Sequence, residues 1–542
     1  MRVNFLLAGA AIVMAAAWLR IADLAGSPFH FDEATQARIV AAQFPGDAKS
    51  GTMAFNPHHF HGPLPINAAV VSAKIAGEES WLSLTKLTLR IVPALSGIAV
   101  VLLMLASAPL IGRIAALAAA AFAAVSPFLV HYSRLFIHED LLVFFLGGAL
   151  LLLGWHVRLR APLYGKHTVA WASCPCETIH QDMGRMPMPQ ELFDQMPGEP
   201  GNVHTRVPLW TVGICLGLAA ATKETFALTP VTWALAAVWI YRPATATLRQ
   251  LLPQILAAGA AFIAVVVFFY SDFGRHPGGV WDFVSTYWSY QTGEGHEKPL
   301  LYYANLFLLP SHHGRLWWWQ GGIFVLAIIS IFQKPDATRV PSAARFCFLS
   351  GLIQAGVYSL LPYKTPWLML VPWLHILLAA GIGAAALLQL SPRVRVAAGI
   401  ALAALLAFQG LQAWRVAFKY PSDARNPFAY VPTAPGLETW TARSIAWLNA
   451  SGWIGEMVSV IGPRYWPLPW YFRGLPKVGY WPTPPDGLAS HALVVAMPEF
   501  APALSEQLAD SHVAIPEGLR SDTPVLLFVR KDIWEKSIGN SR

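Results

Sequence analysis

Apolar runs about as long as a helix that crosses a ~30 Å hydrocarbon layer, roughly 17–25 residues, recur along most of residues 1–413. A water-soluble core cannot absorb that many such segments. The chain is therefore expected to be a polytopic integral membrane protein with about eleven spans. They lie near 5–22, 91–109, 114–130, 140–157, 208–222, 226–241, 253–270, 321–333, 346–361, 367–390 and 396–413. Only 13% of residues are charged, against ~25% in soluble domains, and many of the 22 Trp sit at run ends, where indole rings favour the headgroup region. The first run follows a short basic start and reads as a signal anchor rather than a cleaved signal peptide. The net charge of +8 lies largely in loops beside apolar runs, so topology explains it better than nucleic-acid binding, for which no motif is present.

Short loops set the orientation. Arg113, Arg242, Arg249, Lys334, Arg339, Arg345, Arg393 and Arg395 fall on one side of the span count, with Asp336 the acid found among them. The positive-inside rule makes that side cytoplasmic. The Pro- and Met-rich insertion 158–207 lies there and carries no chemistry of its own. Its Cys174-Pro175-Cys176 reads as a loop with two thiols sooner than as a metal site. The opposite, extracytoplasmic side collects the loops 23–90 and 271–320, several short links and the tail. Short β-like runs at 457–461, 492–496 and 525–529 between helix-compatible stretches make residues 414–542 a small α/β domain.

The ionisable residues gather on that second side. Asp32-Glu33, about ten residues past the first run, can activate an acceptor as general base or hold a divalent cation; equally, the pair can cap a helix over 34–42. Ser133-Arg134-x4-Glu139-Asp140 bridges two spans. Arg134 is suited to a lipid phosphate and Glu139 to orienting an acceptor or a metal, and an Arg134–Glu139 pair is the plainer alternative. His138 reads as a loop histidine without a role. Lys223-Glu224 marks the tip of a helical hairpin, where Lys223 is a natural phosphate ligand or simply part of a polar turn. Lys364, in Tyr363-Lys364-Thr365-Pro366-Trp367, is open to the same two readings. Trp470 and Arg473 belong to an aromatic-, Pro- and Arg-rich stretch, 463–473, suited to docking on the membrane interface or to stacking a sugar ring. His58 and His61 are candidate zinc ligands.

Phe31-Asp32-Glu33-Ala34, His61-Gly62-Pro63, Ser133-Arg134 through His138-Glu139, Ala221-Thr222-Lys223-Glu224, Tyr363-Lys364-Thr365-Pro366-Trp367 and Trp466-Pro467-Leu468-Pro469-Trp470-Tyr471 occur in that order. Together they resemble the GT-C superfamily of membrane glycosyltransferases, in its protein O-mannosyltransferase and aminoarabinose-transferase branch. The nearer resemblance is to the flippase-activity-associated proteins of archaeal and bacterial glycosylation loci.

The resemblance implies a GT-C-like all-α membrane core with an extracytoplasmic active face in the cytoplasmic (inner) membrane. It implies inverting transfer of a sugar from a polyprenyl-phosphate donor to a lipid, glycan or protein acceptor. Asp32, with Glu33 and Glu139, would be catalytic; Arg134, Lys223 and Lys364 would hold the donor phosphate; His61, Glu224, Trp470 and Arg473 would meet acceptor or sugar. No cofactor is established, and a divalent metal is the one candidate. No P-loop and no G-x-G-x-x-G before a helix provides for nucleotide chemistry. Two rivals remain: a lipid-linked-sugar flippase or transporter, and a non-catalytic scaffold of a glycosylation pathway. Against the first stand charges at helix ends rather than mid-membrane and the lack of an internal repeat.

Overall fold

The structure, a computed structural model, describes residues 2–44, 61–159, 207–241, 245–289, 296–313, 316–333 and 340–539. Every apolar run named above is helical. Seven helices have the length and composition to cross a membrane: Val3–Ile21, Lys86–Ile111, Glu139–Val157, Arg249–Tyr270, Val340–Leu360, Pro366–Leu387 and Pro392–Lys419. The other four expected spans are shorter helices. Arg113–Ala124 breaks at Val125-Ser126 before Pro127–Tyr132, and Leu209–Ala220, Leu228–Tyr241 and Gly321–Ile331 have 12, 14 and 11 residues. Among the described residues, full spanning length is thus confined to seven of the eleven.

Pro366–Leu387 forms the centre of the bundle, with 94% of its apolar window buried, while Arg249–Tyr270 lies at the periphery with 6% buried. Small residues make the central helix possible. A Cβ on Gly381 would crowd Ala119, and one on Gly383 would collide with the Leu326 carbonyl oxygen. Close backbone approach of this kind supplies packing where lipid removes the hydrophobic driving force between helices. The helix Leu209–Ala220 meets Thr245–Tyr270 in the same way at Gly213 and Gly217.

The loops that charge counting assigned to one side converge at one end of this bundle. Leu64 N donates to Ala221 O, Lys364 N to His296 O, and His30 Nε2 lies 3.0 Å from Tyr430 O. At the other end His156 Nδ1 contacts Val207 O, and Arg345 donates to Ile331 O and Gln333 O.

After a hairpin of β1 (Ser311–His313) and β2 (Leu316–Trp318), the remaining strands lie in the C-terminal region. They are β3 (Val458–Ile461), β4 (Val478–Trp481), β5 (Leu493–Ala496), β6 (His512–Arg520) and β7 (Thr523–Arg530), in spatial order β4-β3-β5-β7-β6. β4, β3 and β5 are parallel; β7 pairs antiparallel with β5 and β6. Three of the five match the β-like runs in the sequence. β6 escaped because Pro516 and Gly518 interrupt it, which an edge strand tolerates. β4 is four residues set among prolines.

Trp470 and Arg473 attach this region to the first loop. Trp470 is buried against Phe29 and Trp81, with ring centroids 4.3 and 5.4 Å away. The Arg473 guanidinium covers the Trp470 ring at 3.6 Å and donates to Leu84 O. The sugar-stacking role expected of them is corrected. Their surfaces are consumed by docking, onto protein rather than onto the membrane interface. Removing the indole in Trp470→Ala should cost about 3–5 kcal/mol, in line with large-to-small core substitutions. Limited proteolysis of purified protein should then cut faster between 420 and 436; an unchanged cleavage rate would contradict the docking role.

Candidate active site

The first loop turns back at His30 and enters the helix Phe31–Ala41. His30 Nδ1 accepts from Asp32 N and the Glu33 carboxylate accepts from His30 N, so the helix start is satisfied by His30 and Glu33. Glu33 is also clamped by Arg90. Arg90 Nε and Nη2 each donate at 2.7 Å to one Glu33 oxygen, and Phe136 N adds a third donor from the link between two spans. The same guanidinium donates to the carbonyls of Leu24, Ser27 and Pro28. Both side chains are wholly buried. Burial alone would raise the Glu33 carboxyl, but Arg90 and the backbone donors outweigh it and hold it below the ordinary carboxylate value. Glu33 therefore has no room for catalysis, and the catalytic expectation for it is corrected. Its neighbour Asp32 points the other way, into a cleft.

Beside that cleft lies a row of buried ionisable groups. Lys223 Nζ donates to Glu139 Oε1 at 2.7 Å, and His138 Nε2 approaches the same oxygen at 3.1 Å. Glu139 Oε2 is buried with no hydrogen-bond partner among the described residues. The His61 ring packs on the His138 ring, with centroids 3.9 Å apart, and His61 Nδ1 lies 2.9 Å from Glu224 Oε2. Burial disfavours the charged forms of Lys223 and Glu224, yet opposite neighbours win at both. Lys223 is raised above its ordinary value by Glu139 and Glu224, and Glu224 is lowered by His61 and Lys223. At His138 burial prevails over Glu139 and brings the imidazole down to about 4, so it is neutral at physiological pH.

Local backbone explains the arrangement. Lys223 is extended (φ −159°, ψ 139°) between the helix Leu209–Ala220 and the 3₁₀ turn Glu224–Ala227, which swings its side chain inward from the hairpin tip. Gly62 abuts the Ala221 carbonyl, where a Cβ would collide, and this brings His61 up to Glu224. Thr365 is likewise extended before the 3₁₀ turn Pro366–Met369, presenting Trp367 at the junction of two clefts.

Of the expected phosphate ligands, the structure brings Lys223 to the cluster and commits the other two elsewhere. Arg134 donates to the carbonyls of Leu19, Arg20, Ala22 and Asp23 and lies over Phe418. It satisfies the open end of the first helix, whose last carbonyls have no intrahelical partner. Lys364 is buried, donating to Lys298 O and Leu361 O. Both phosphate assignments are corrected on that ground. The Arg134–Glu139 pair considered as an alternative is also not formed, since Glu139 pairs with Lys223. His61 and Glu224 sit in the cluster as a pair. His58, Cys174 and Cys176 lie outside the described residues, and among the described residues no three His, Cys, Asp or Glu side chains converge as metal ligands.

Two clefts open here. One is lined by His30, Asp32, His131, Tyr132, Trp367 and Tyr430 among others. The second is lined by Glu139, Lys223, Thr225, Tyr358 and Trp367 with apolar neighbours. Asp32 lies deep in the protein mass yet opens into the first cleft, its side chain 38% exposed and 3.6 Å from His30 Nδ1. Enclosure raises its carboxyl above the usual value; His30 opposes this and Glu139 adds to it. His30, Tyr430 and His296 were not legible as site residues. His296 Nδ1 lies 2.6 Å from the Tyr430 hydroxyl, and its loop gave no local signal.

No protein-family model matches the sequence, and no curated protein sequence matches it. Solved structures do. ArnT from Cupriavidus metallidurans in the apo state superposes with a TM-score of 0.61 at 13% identity, covering 97% of this chain and 98% of that one. The same enzyme bound to undecaprenyl phosphate gives 0.57 at 14% identity, covering 97% of each. The archaeal oligosaccharyltransferase AglB from Archaeoglobus fulgidus, in complex with an inhibitory peptide and a dolichol-phosphate, gives 0.53 at 12% identity, covering 98% of this chain and 77% of that one. The fold is GT-C. That agrees with the expected polytopic helical core followed by a small C-terminal domain, and it extends over nearly the whole chain.

The Glu33–Arg90 clamp yields a stability prediction for this GT-C core. Glu33→Gln leaves a buried guanidinium without its counter-charge and should destabilise by about 3–5 kcal/mol. The sign with pH follows. A carboxyl held low in the folded state stabilises above its unfolded value, ~4.3, and that contribution is lost as pH falls through the lower folded value. Thermal unfolding in detergent should show the wild type losing stability on acidification more steeply than Glu33→Gln; parallel pH curves would contradict the assignment.

Proposed function

We propose that the chain is a membrane glycosyltransferase. It takes a sugar from a polyprenyl-phosphate donor at the extracytoplasmic face of the cytoplasmic (inner) membrane and passes it to an acceptor held in the Asp32 cleft. The observation that carries this reading is the adjacency of two clefts on either side of Trp367, one holding a raised carboxylate and the other a buried lysine. Residues 1–413 form the membrane domain in this reading, and 414–542 form an extracytoplasmic domain that closes over the site. The fold shared with structures solved with undecaprenyl phosphate and dolichol-phosphate supports the donor class.

The chemistry follows from the geometry. The bond between the anomeric carbon and the phosphate oxygen breaks, and its electron pair leaves with polyprenyl phosphate. A new bond forms from the acceptor oxygen to that carbon on the opposite face. Asp32 takes the acceptor proton, and its raised basicity suits it to this work. Lys223 carries three N–H donors and spends one on Glu139. The other two are available to phosphate oxygens, whose charge grows as the bond breaks. Glu139 holds the ammonium in place, and the His61–Glu224 pair walls the same pocket. Where a divalent ion takes part, Glu139 Oε2 and Asp32 are the oxygens that would hold it and shield the phosphate charge.

Asp32→Asn should lower transfer from a radiolabelled polyprenyl-phosphate sugar by about 10²–10⁴-fold while donor binding is kept. Lys223→Ala should weaken donor binding as well as turnover. The wild-type rate should fall on acidification through a pKa above ~4, the ordinary aspartate value, because the base form of Asp32 is lost there. Full activity in Asp32→Asn, or an acid limb unmoved by that substitution, would sink the assignment.

A further inference from the structure

The Asp32 cleft has a chemical bias of its own. Among the fourteen described residues that line it, Asp32 is the one that carries a permanent charge. Two cations stand outside the lining. The Arg520 guanidinium lies over Phe31, its Nε 3.5 Å from Asp522, and the Lys298 ammonium lies over the outer ring of Tyr430 at 5.9 Å. A phosphate or carboxylate entering the cleft would meet the Asp32 carboxylate with no lining cation to offset the repulsion.

The walls are aromatic. Trp367 stands nearly perpendicular to Tyr430, with ring centroids 5.3 Å apart at 88°, and to Tyr132, at 6.1 Å and 77°. The polar tips of the two tyrosines are engaged elsewhere, Tyr132 with Phe428 O and Tyr430 with His296 Nδ1. What they offer the cleft is ring surface. Asp32, beside His30, is the one carboxylate there to accept from a hydroxyl. An apolar wall with one carboxylate at its base matches a pyranose ring, which has a C–H face on one side and hydroxyls along its edge.

We propose that this cleft takes a neutral saccharide as acceptor, stacked on Trp367 with one hydroxyl directed at Asp32, and that it rejects anionic acceptors. The inference rests on the transfer reading above and selects among its acceptor classes. The product is a glycoside: the sugar hydroxyl forms the new bond to the anomeric carbon of the donor sugar, its proton goes to Asp32, and polyprenyl phosphate leaves with the bonding pair.

The test measures binding without turnover. The full-length protein in lipid nanodiscs is titrated with methyl glucoside, methyl mannoside and methyl galactoside and with the 6-phosphate of each, read by tryptophan fluorescence and isothermal calorimetry. At least one neutral glycoside should bind about ten-fold or more tightly than its 6-phosphate. Asp32→Asn should shrink that preference to within about two-fold. Trp367→Ala should weaken the neutral ligand about ten-fold, whereas Trp367→Phe, which keeps a ring, should retain most of the affinity. Equal or tighter binding of the 6-phosphates would overturn the proposal, as would the absence of glycoside binding in a folded protein that still binds polyprenyl phosphate. If glycosides bind and polyprenyl phosphate does not, the saccharide cleft stands and the transfer reading fails.

Discussion

The ion pair between Glu33 and Arg90 holds the molecule's chemistry in register. It joins the helix of the first loop to the Lys86–Ile111 span, and through Phe136 N to the link that carries Glu139. With both side chains fully buried, neither charge is tolerable alone, and every donor of the clamp is spent on an oxygen from the same small region. Asp32, one residue earlier on the helix, is thereby aimed at the cleft. The clamp converts a flexible-looking acidic pair into one structural and one available carboxylate.

The rest of the site follows the same logic of charges kept in a low dielectric by partners. Lys223 would be costly so near the hydrocarbon without Glu139, and Glu139 without Lys223. Among the described residues that pair keeps capacity in hand: Lys223 Nζ makes one side-chain hydrogen bond, and one glutamate oxygen has no partner. The second cleft thus presents a paired ammonium beside a bare carboxylate oxygen, whereas the first presents Asp32 and aromatic walls. Trp367 lines both and divides them.

Much of this was legible in the sequence, and the misses have physical reasons. The apolar runs, the side on which ionisable residues gather, and the presence of Asp32, Glu139 and Lys223 at helix ends follow from hydropathy and from the expense of charges near lipid. Partnering is what sequence does not reveal. Arg134 and Lys364 looked like phosphate ligands because basic residues at helix ends so often are; here they satisfy orphan carbonyls of the first helix and of Val340–Leu360. Arg90 carried a visible signal, an arginine at the head of an apolar run, that pointed to a buried partner. Trp470 and Arg473 had surfaces suited to a sugar until the first loop covered them. His138 reads in sequence as a loop histidine, yet its ring packs at a tilt against His61 beside Glu139. His30, Tyr430 and His296 come together only through contacts about 130 to 400 residues apart in sequence.

The account depends on Asp32 and Lys223 sharing one water-accessible site on the outer face of the membrane. Site-directed labelling reads this directly. In a background with Cys174, Cys176, Cys215 and Cys347 replaced by serine, Asp32→Cys is exposed to a membrane-impermeant maleimide in intact cells. The account predicts labelling from outside, and slower labelling in purified protein when polyprenyl phosphate occupies the adjoining cleft. Labelling of residue 32 only after the membrane is permeabilised would contradict it.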